Sequence, residues 1–145
     1  MLCAWICICS WAFVSSSIIN VQSSFMLFLG GGCGALVRYF CSQGLQTRFL
    51  WAAPWSIAGV NLSGSFLIGM TMMWALQGGL TGNLRLFLVT GFLGGFTTFS
   101  TFALDLFQYL RDGDIRSFLL LALVSNVGAI LAAASGFGVA RLFFR

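Results

Sequence analysis

Histidine, lysine and glutamate are absent from this chain of 145 residues, and seven Arg and three Asp carry all of its charge. Without an imidazole base, a lysine amine or a glutamic acid, the common forms of side-chain catalysis have no groups to work with. No enzyme is expected. Charged residues are scarce, at 7% of the chain against about 25% in a soluble domain, while 59% are hydrophobic. That balance places the chain in a lipid bilayer, and its length suits one domain. Proline occurs once, so little interrupts the apolar runs. The arginines are scattered among apolar segments and form no basic face, which argues against nucleic-acid binding. Cys3, Cys7, Cys9, Cys33 and Cys41 are an odd set that makes no disulfide framework, and the first three have no fourth soft ligand nearby. They read as small apolar residues in lipid.

Apolar runs near the roughly 20 residues that cross a hydrocarbon core give four spans: Phe25–Cys41, Ala53–Leu76, Leu84–Leu110 and Ser117–Phe144. Trp55 and Trp74 bracket the second at about 28 Å by helical rise, close to the thickness of that core. Pro54 sits where a helix start needs no amide. The run Arg111–Arg116 holds four of the ten charges and must be an exposed turn. Residues 1–25 are an apolar extension outside this pattern, with no basic region to mark a secretory signal. An additional half-inserted or spanning helix, or a translation start at Met26, both remain open for it. Residues 26–145 then form the four-helix domain.

Four spans leave Arg85, Arg141 and Arg145 on one face, in the loop Thr81–Arg85 and the C-terminus. Arg48, Arg111 and Arg116 lie on the other, in the loop Gln43–Trp51 and the 111–116 turn. Equal counts give no positive-inside bias, so insertion both ways round and an antiparallel dimer become possible. Each span also holds a small-x-x-x-small pair: Gly30 and Gly34, Ser65 and Gly69, Gly91 and Gly95, Gly128 and Ala132. Together they favour a tight bundle. The run from Gly30 to Gly34 lacks the Lys-Ser/Thr ending of a phosphate loop.

Any chemistry lies in the third span. Gly94 and Gly95, followed by the β-branched Thr97 and Thr98, make a poor helix interior. A break there frees backbone groups at membrane depth, and it survives only if they bind an ion, line a wet cavity or are buried in protein. Thr98 and Thr101, like Phe99 and Phe102, recur at helical spacing, so the helix after the break presents a hydroxyl stripe beside an aromatic one. In the second span Asn61 and Ser65 face inward, because an amide in lipid is costly unless satisfied. They serve either as interhelical glue or as a polar lining. A lining of amide, hydroxyl and phenyl edges, with Asp105 the sole acid near a span, suits a small anion better than a cation. Ordinary core packing remains the simple alternative for any single ring among sixteen Phe.

Gly31–Tyr39 (GGCGALVRY), Val60–Gly69 (VNLSGSFLIG) and Gly91–Phe102 (GFLGGFTTFSTF) together resemble the CrcB/Fluc fluoride channel family, in order and spacing from Met26 to the C-terminus. The resemblance implies an all-α membrane protein with four transmembrane helices per subunit and the third broken near its middle. It implies an antiparallel, dual-topology homodimer in the inner or plasma membrane, with two fluoride pores and a central sodium ion. Members export fluoride passively after it enters acidified cells as HF, which lowers intracellular fluoride and its toxicity. At the matching positions Asn61 is the pore amide, Phe99 and Phe102 are the rings whose edges flank the ion, and Ser100 and Thr101 supply nearby hydroxyls. Gly94 and Thr97 give the carbonyls of the sodium site, two from each subunit, and Arg38 draws anions to a vestibule.

The match has departures. Ile57 stands where many members have threonine, Asp105 where glutamate is usual, and Ala129 where the fourth helix usually has a pore serine, with Asn126 one turn earlier. Residues 1–25 have no counterpart. A small proton-coupled cation exporter is the leading alternative, but it needs a membrane-embedded glutamate that this chain lacks. A purely structural membrane protein is the third reading.

Overall fold

The computed structural model describes residues 20–50, 52–80 and 82–143. The first nineteen residues of the expected extension lie outside them, as does Arg145. Helix α1 is Val21–Phe49 and α2 is Ala53–Leu76. A third span, Gly82–Arg111, starts as α3 (Gly82–Arg85), continues as a π-helical stretch Leu86–Leu93 and closes its first half with α4 (Gly94–Phe96). Its second half is α5 (Phe99–Arg111), and α6 is Ile115–Phe143. All four spans are long and apolar enough to cross a membrane.

Local chemistry explains several of the helix starts. The Asn20 side chain accepts the Gln22 amide at 3.2 Å and starts α1 one turn before the expected Phe25. Pro54 lies in the first turn of α2, as its fixed φ favours. Asp114 accepts the Ser117 amide at 3.0 Å, so the charged run is a turn of three residues, 112–114, between α5 and α6. Two expected loops are corrected. Within Gln43–Trp51, α1 continues to Phe49, with Thr47 Oγ1 donating to the Gln43 carbonyl at 2.8 Å, and it ends at Leu50 in the left-handed region (φ 55°). Within Thr81–Arg85, residues 82–85 are already helical. A helix can continue past the hydrocarbon edge on its own hydrogen bonds, so the end of an apolar run does not mark its end.

The spans alternate in direction and pack as two close pairs, α1 with the first half of the third span and α2 with α6. Small residues set both distances. A Cβ at Gly34 would land on the Phe92 carbonyl, and one at Gly69 on the Ala133 carbonyl, so these backbones touch. The apolar core is correspondingly thin. Ile57, Ala58, Phe102 and Leu121 form its cluster, while large side chains such as Phe28, Phe40, Leu123 and Ile130 stay exposed toward lipid or another chain.

Candidate functional site

The third span breaks at Thr97 (φ −86°, ψ 152°) and Thr98 (φ −144°, ψ 120°), both extended. The glycines expected to weaken it, Gly94 and Gly95, remain helical, and the β-branched threonines take up the extended backbone they favour. Thr98 restarts the helix by capping, its hydroxyl accepting the Thr101 amide at 3.3 Å. That hydroxyl also lies 3.1 Å from Thr101 Oγ1 and 3.3 Å from Ser100 Oγ, which gives the expected hydroxyl cluster.

Asn61 of α2 faces this break. Its Oδ1 accepts the Thr98 amide at 2.8 Å, and its Nδ2 donates to the Thr98 carbonyl at 3.0 Å. One side-chain amide thereby pairs with both backbone groups of a single residue. The second Nδ2 hydrogen is left for another acceptor. Ser65, its expected companion, instead donates to the Asn61 carbonyl of its own helix at 2.8 Å.

A cavity of about 410 Å³ opens beside the break, between α2, the third span and α6. Asn61, Gly94, Thr97, Thr98, Phe99 and Phe102 are among its walls, and among the described residues no charged side chain lines it. The two rings lie 5.7 Å apart at 59°, with Phe102 5% exposed and Phe99 74% exposed. Tilted rings turn edges, the positive rim of the quadrupole, toward shared space. Neutral donors and ring edges can strip and replace water around a small anion without trapping it in a strong ion pair.

The break also decides which carbonyls are free. In an unbroken helix the Gly94 carbonyl would accept from the Thr98 amide, but Asn61 takes that amide. The Thr97 carbonyl would accept from Thr101, whose amide goes to the Thr98 hydroxyl. Among the described residues no group of three His, Cys, Asp or Glu could hold a metal. The Gly94 and Thr97 carbonyls offer neutral oxygen donors of the kind that suit a hard cation.

Residues 25–137 match the family model described as CrcB-like protein, Camphor Resistance (CrcB). The chain belongs to the CrcB-like family. It is 40% identical over 119 residues to a Thermus thermophilus protein named fluoride-specific ion channel FluC, covering 82% of this chain and 94% of the relative. Proteins of that name from Parabacteroides distasonis (42% identical, 74% of this chain, 84% of the relative) and Bacteroides fragilis (38%, 76% and 89%) are also similar to it.

In this CrcB-like chain, Asn61, Gly94, Thr97, Phe99 and Phe102 share one cavity. Ser100 and Thr101 stand at its margin through Thr98. Arg38 is not among the lining residues, and its Nε donates to the Gly95 carbonyl at 3.2 Å. Of the departures, Ile57 packs in the apolar cluster with Phe102. Ala129 and Asn126 line the cavity, and Asn126 Nδ2 donates to the Ala122 carbonyl of its own helix at 2.7 Å. Asp105 is buried, with Oδ2 unpartnered among the described residues. Sequence reasoning missed Ser125, which lines the cavity with its hydroxyl buried and unpartnered among the described residues. Its signal was one helical turn before Ala129, on the same face.

Proposed function

We propose that this chain is a fluoride-selective channel that lets fluoride leave the cytoplasm passively and so lowers its intracellular level. The observation that carries the reading is an uncharged cavity at a broken membrane span, walled by an amide, hydroxyls and two tilted rings. The ion itself comes from the name shared by the relatives. In this reading Asn61 donates its remaining N–H to the anion, the edges of Phe99 and Phe102 flank it, and Ser100 and Thr101 offer hydroxyls along the way. No group with a strong opposite charge holds the ion, which favours release as much as entry.

The reading extends to an antiparallel homodimer of dual topology in the inner membrane. Supporting it are the balanced arginines of the two faces and the exposure of Phe99, which leaves the cavity open on one side. Two free carbonyls, those of Gly94 and Thr97, are too few for a hard cation, and a second copy related by a twofold axis would double them. A sodium ion held there would supply a fixed positive charge at the break without any acidic residue.

The test is efflux from liposomes loaded with fluoride, read with a fluoride electrode beside a chloride control. Rapid fluoride loss with chloride retained is the expected result. Retention of both ions by folded, reconstituted protein would overturn the channel reading.

A further inference from the structure

The four amides after the break, those of Thr98 to Thr101, would in a continuous helix bond the carbonyls of residues 94 to 97. Asn61 and the Thr98 hydroxyl account for the consequences at Gly94 and Thr97. The Gly95 carbonyl is handled differently, because it accepts from Arg38 Nε of α1 at 3.2 Å, across 57 positions of sequence. The contact depends on the close pairing of α1 with the third span. A Cβ at Gly95 would land on the Gly31 carbonyl, so the two backbones touch there. Arg38 lies two turns beyond Gly31 on the same face of α1, and helical side chains lean back toward the N-terminus, so its stem folds down onto Gly95. The broken segment is thus gripped from two sides, by Arg38 at Gly95 and by Asn61 at Thr98.

We infer that Arg38 is a positioning residue that fixes the break through the N–H at the fourth atom of its side chain, and that its charge is not what the site needs. Its donor caps a freed carbonyl that lies outside the cavity wall, where Gly94 and Thr97 both stand. Its link to conduction rests on the channel reading above.

Side-chain chemistry separates this role from anion attraction. Glutamine puts an N–H at the same fourth atom with no charge. Lysine keeps the charge one atom farther out and has only a methylene at that place. Methionine keeps neither. Arg38→Gln, Arg38→Lys and Arg38→Met are reconstituted beside the unaltered protein, and each is read for fluoride efflux and for amide hydrogen exchange of residues 97–99. Arg38→Gln is expected to keep flux and exchange within about threefold of the unaltered protein. Arg38→Lys and Arg38→Met should lose flux and speed exchange on the order of tenfold, the effect of one missing hydrogen bond to a freed backbone carbonyl. Any result in which Arg38→Gln does no better than Arg38→Lys overturns the inference. If the unaltered protein passes no fluoride, the channel reading falls, and the exchange rates still decide whether Arg38 holds the break.

Discussion

The bundle consists of two helix pairs seamed by small residues, and only one of them is broken. Between α2 and α6, a Cβ at Gly69 would land on the Ala133 carbonyl and one at Gly136 on the Phe66 carbonyl, yet both helices run unbroken. Ser65, Asn126 and Ser135 of that pair bond to their own helices, to the Asn61, Ala122 and Ala132 carbonyls, and Asn61 of α2 is the side chain that reaches out, to the third span. Between α1 and the third span the seam is just as tight, but here donors from two neighbouring helices reach the third span, Arg38 of α1 to Gly95 and Asn61 of α2 to Thr98. Close approach alone therefore does not open a helix. An opening persists where a donor from a neighbour takes over the backbone groups it releases.

The largest effect is expected from removing that donor. Asn61→Ala should cut fluoride flux about 100-fold or more, because it strands both backbone groups of Thr98 in a membrane span. Asn126→Ala, whose amide stays within α6, should remain within about threefold, since it only duplicates a bond to its own helix. Equal losses in the two variants, measured in the same liposomes, would erase the contrast between the broken span and the unbroken helices.

The rings come next. Phe102→Ile keeps apolar volume beside Ile57 and Leu121 but removes the edge, and flux should fall roughly tenfold while assembly by size-exclusion chromatography is unchanged. Unaltered flux would remove the aromatic edge from the mechanism. Replacing sodium on both sides with a large organic cation should slow efflux severalfold if the Gly94 and Thr97 carbonyls hold that ion. Indifference to the exchange would leave those carbonyls without the role proposed for them.

The smallest effect lies at the exposed turn that joins the two halves. Asp114 is held below its ordinary value of 3.8 by hydrogen bonds from Ser117, its side chain first and then its backbone. Its folded value is depressed, so its contribution is complete above the unfolded value and disappears as pH falls through the folded one. Asp114→Ala should therefore melt slightly earlier than the unaltered protein at pH 6. The gap in melting temperature should close as the pH drops below 3.8, the unfolded value.

Much of this was legible because it is written in local chemistry. Span length follows from hydrocarbon thickness, the start of α2 from Pro54, and the 112–114 turn from its charges. The weakness of the third span near Thr97 and Thr98 follows from β-branching after glycines. Helix ends were less legible, since Gln43, Gln46, Thr47 and Arg48 are polar yet helical, their backbone bonds needing no apolar surface. The eight-residue π-helical stretch left no local signal, and the Phe87 and Phe92 carbonyls within it lie against Gly30 and Gly34 of another helix.

By itself the sequence determined that this chain lives in a bilayer, that residues 26–145 hold four spans, and that the third of them is poorly suited to a continuous helix. Those properties depend on hydrophobic length and on the intrinsic preferences of neighbouring residues. Only the tertiary structure decided that the break falls after the glycines, that Asn61 spans both backbone groups of Thr98, and that Arg38 reaches the Gly95 carbonyl and stays out of the cavity lining. These partners are 37 and 57 residues apart in sequence. Their pairing depends on how closely glycine lets two backbones approach, a distance that no local pattern encodes.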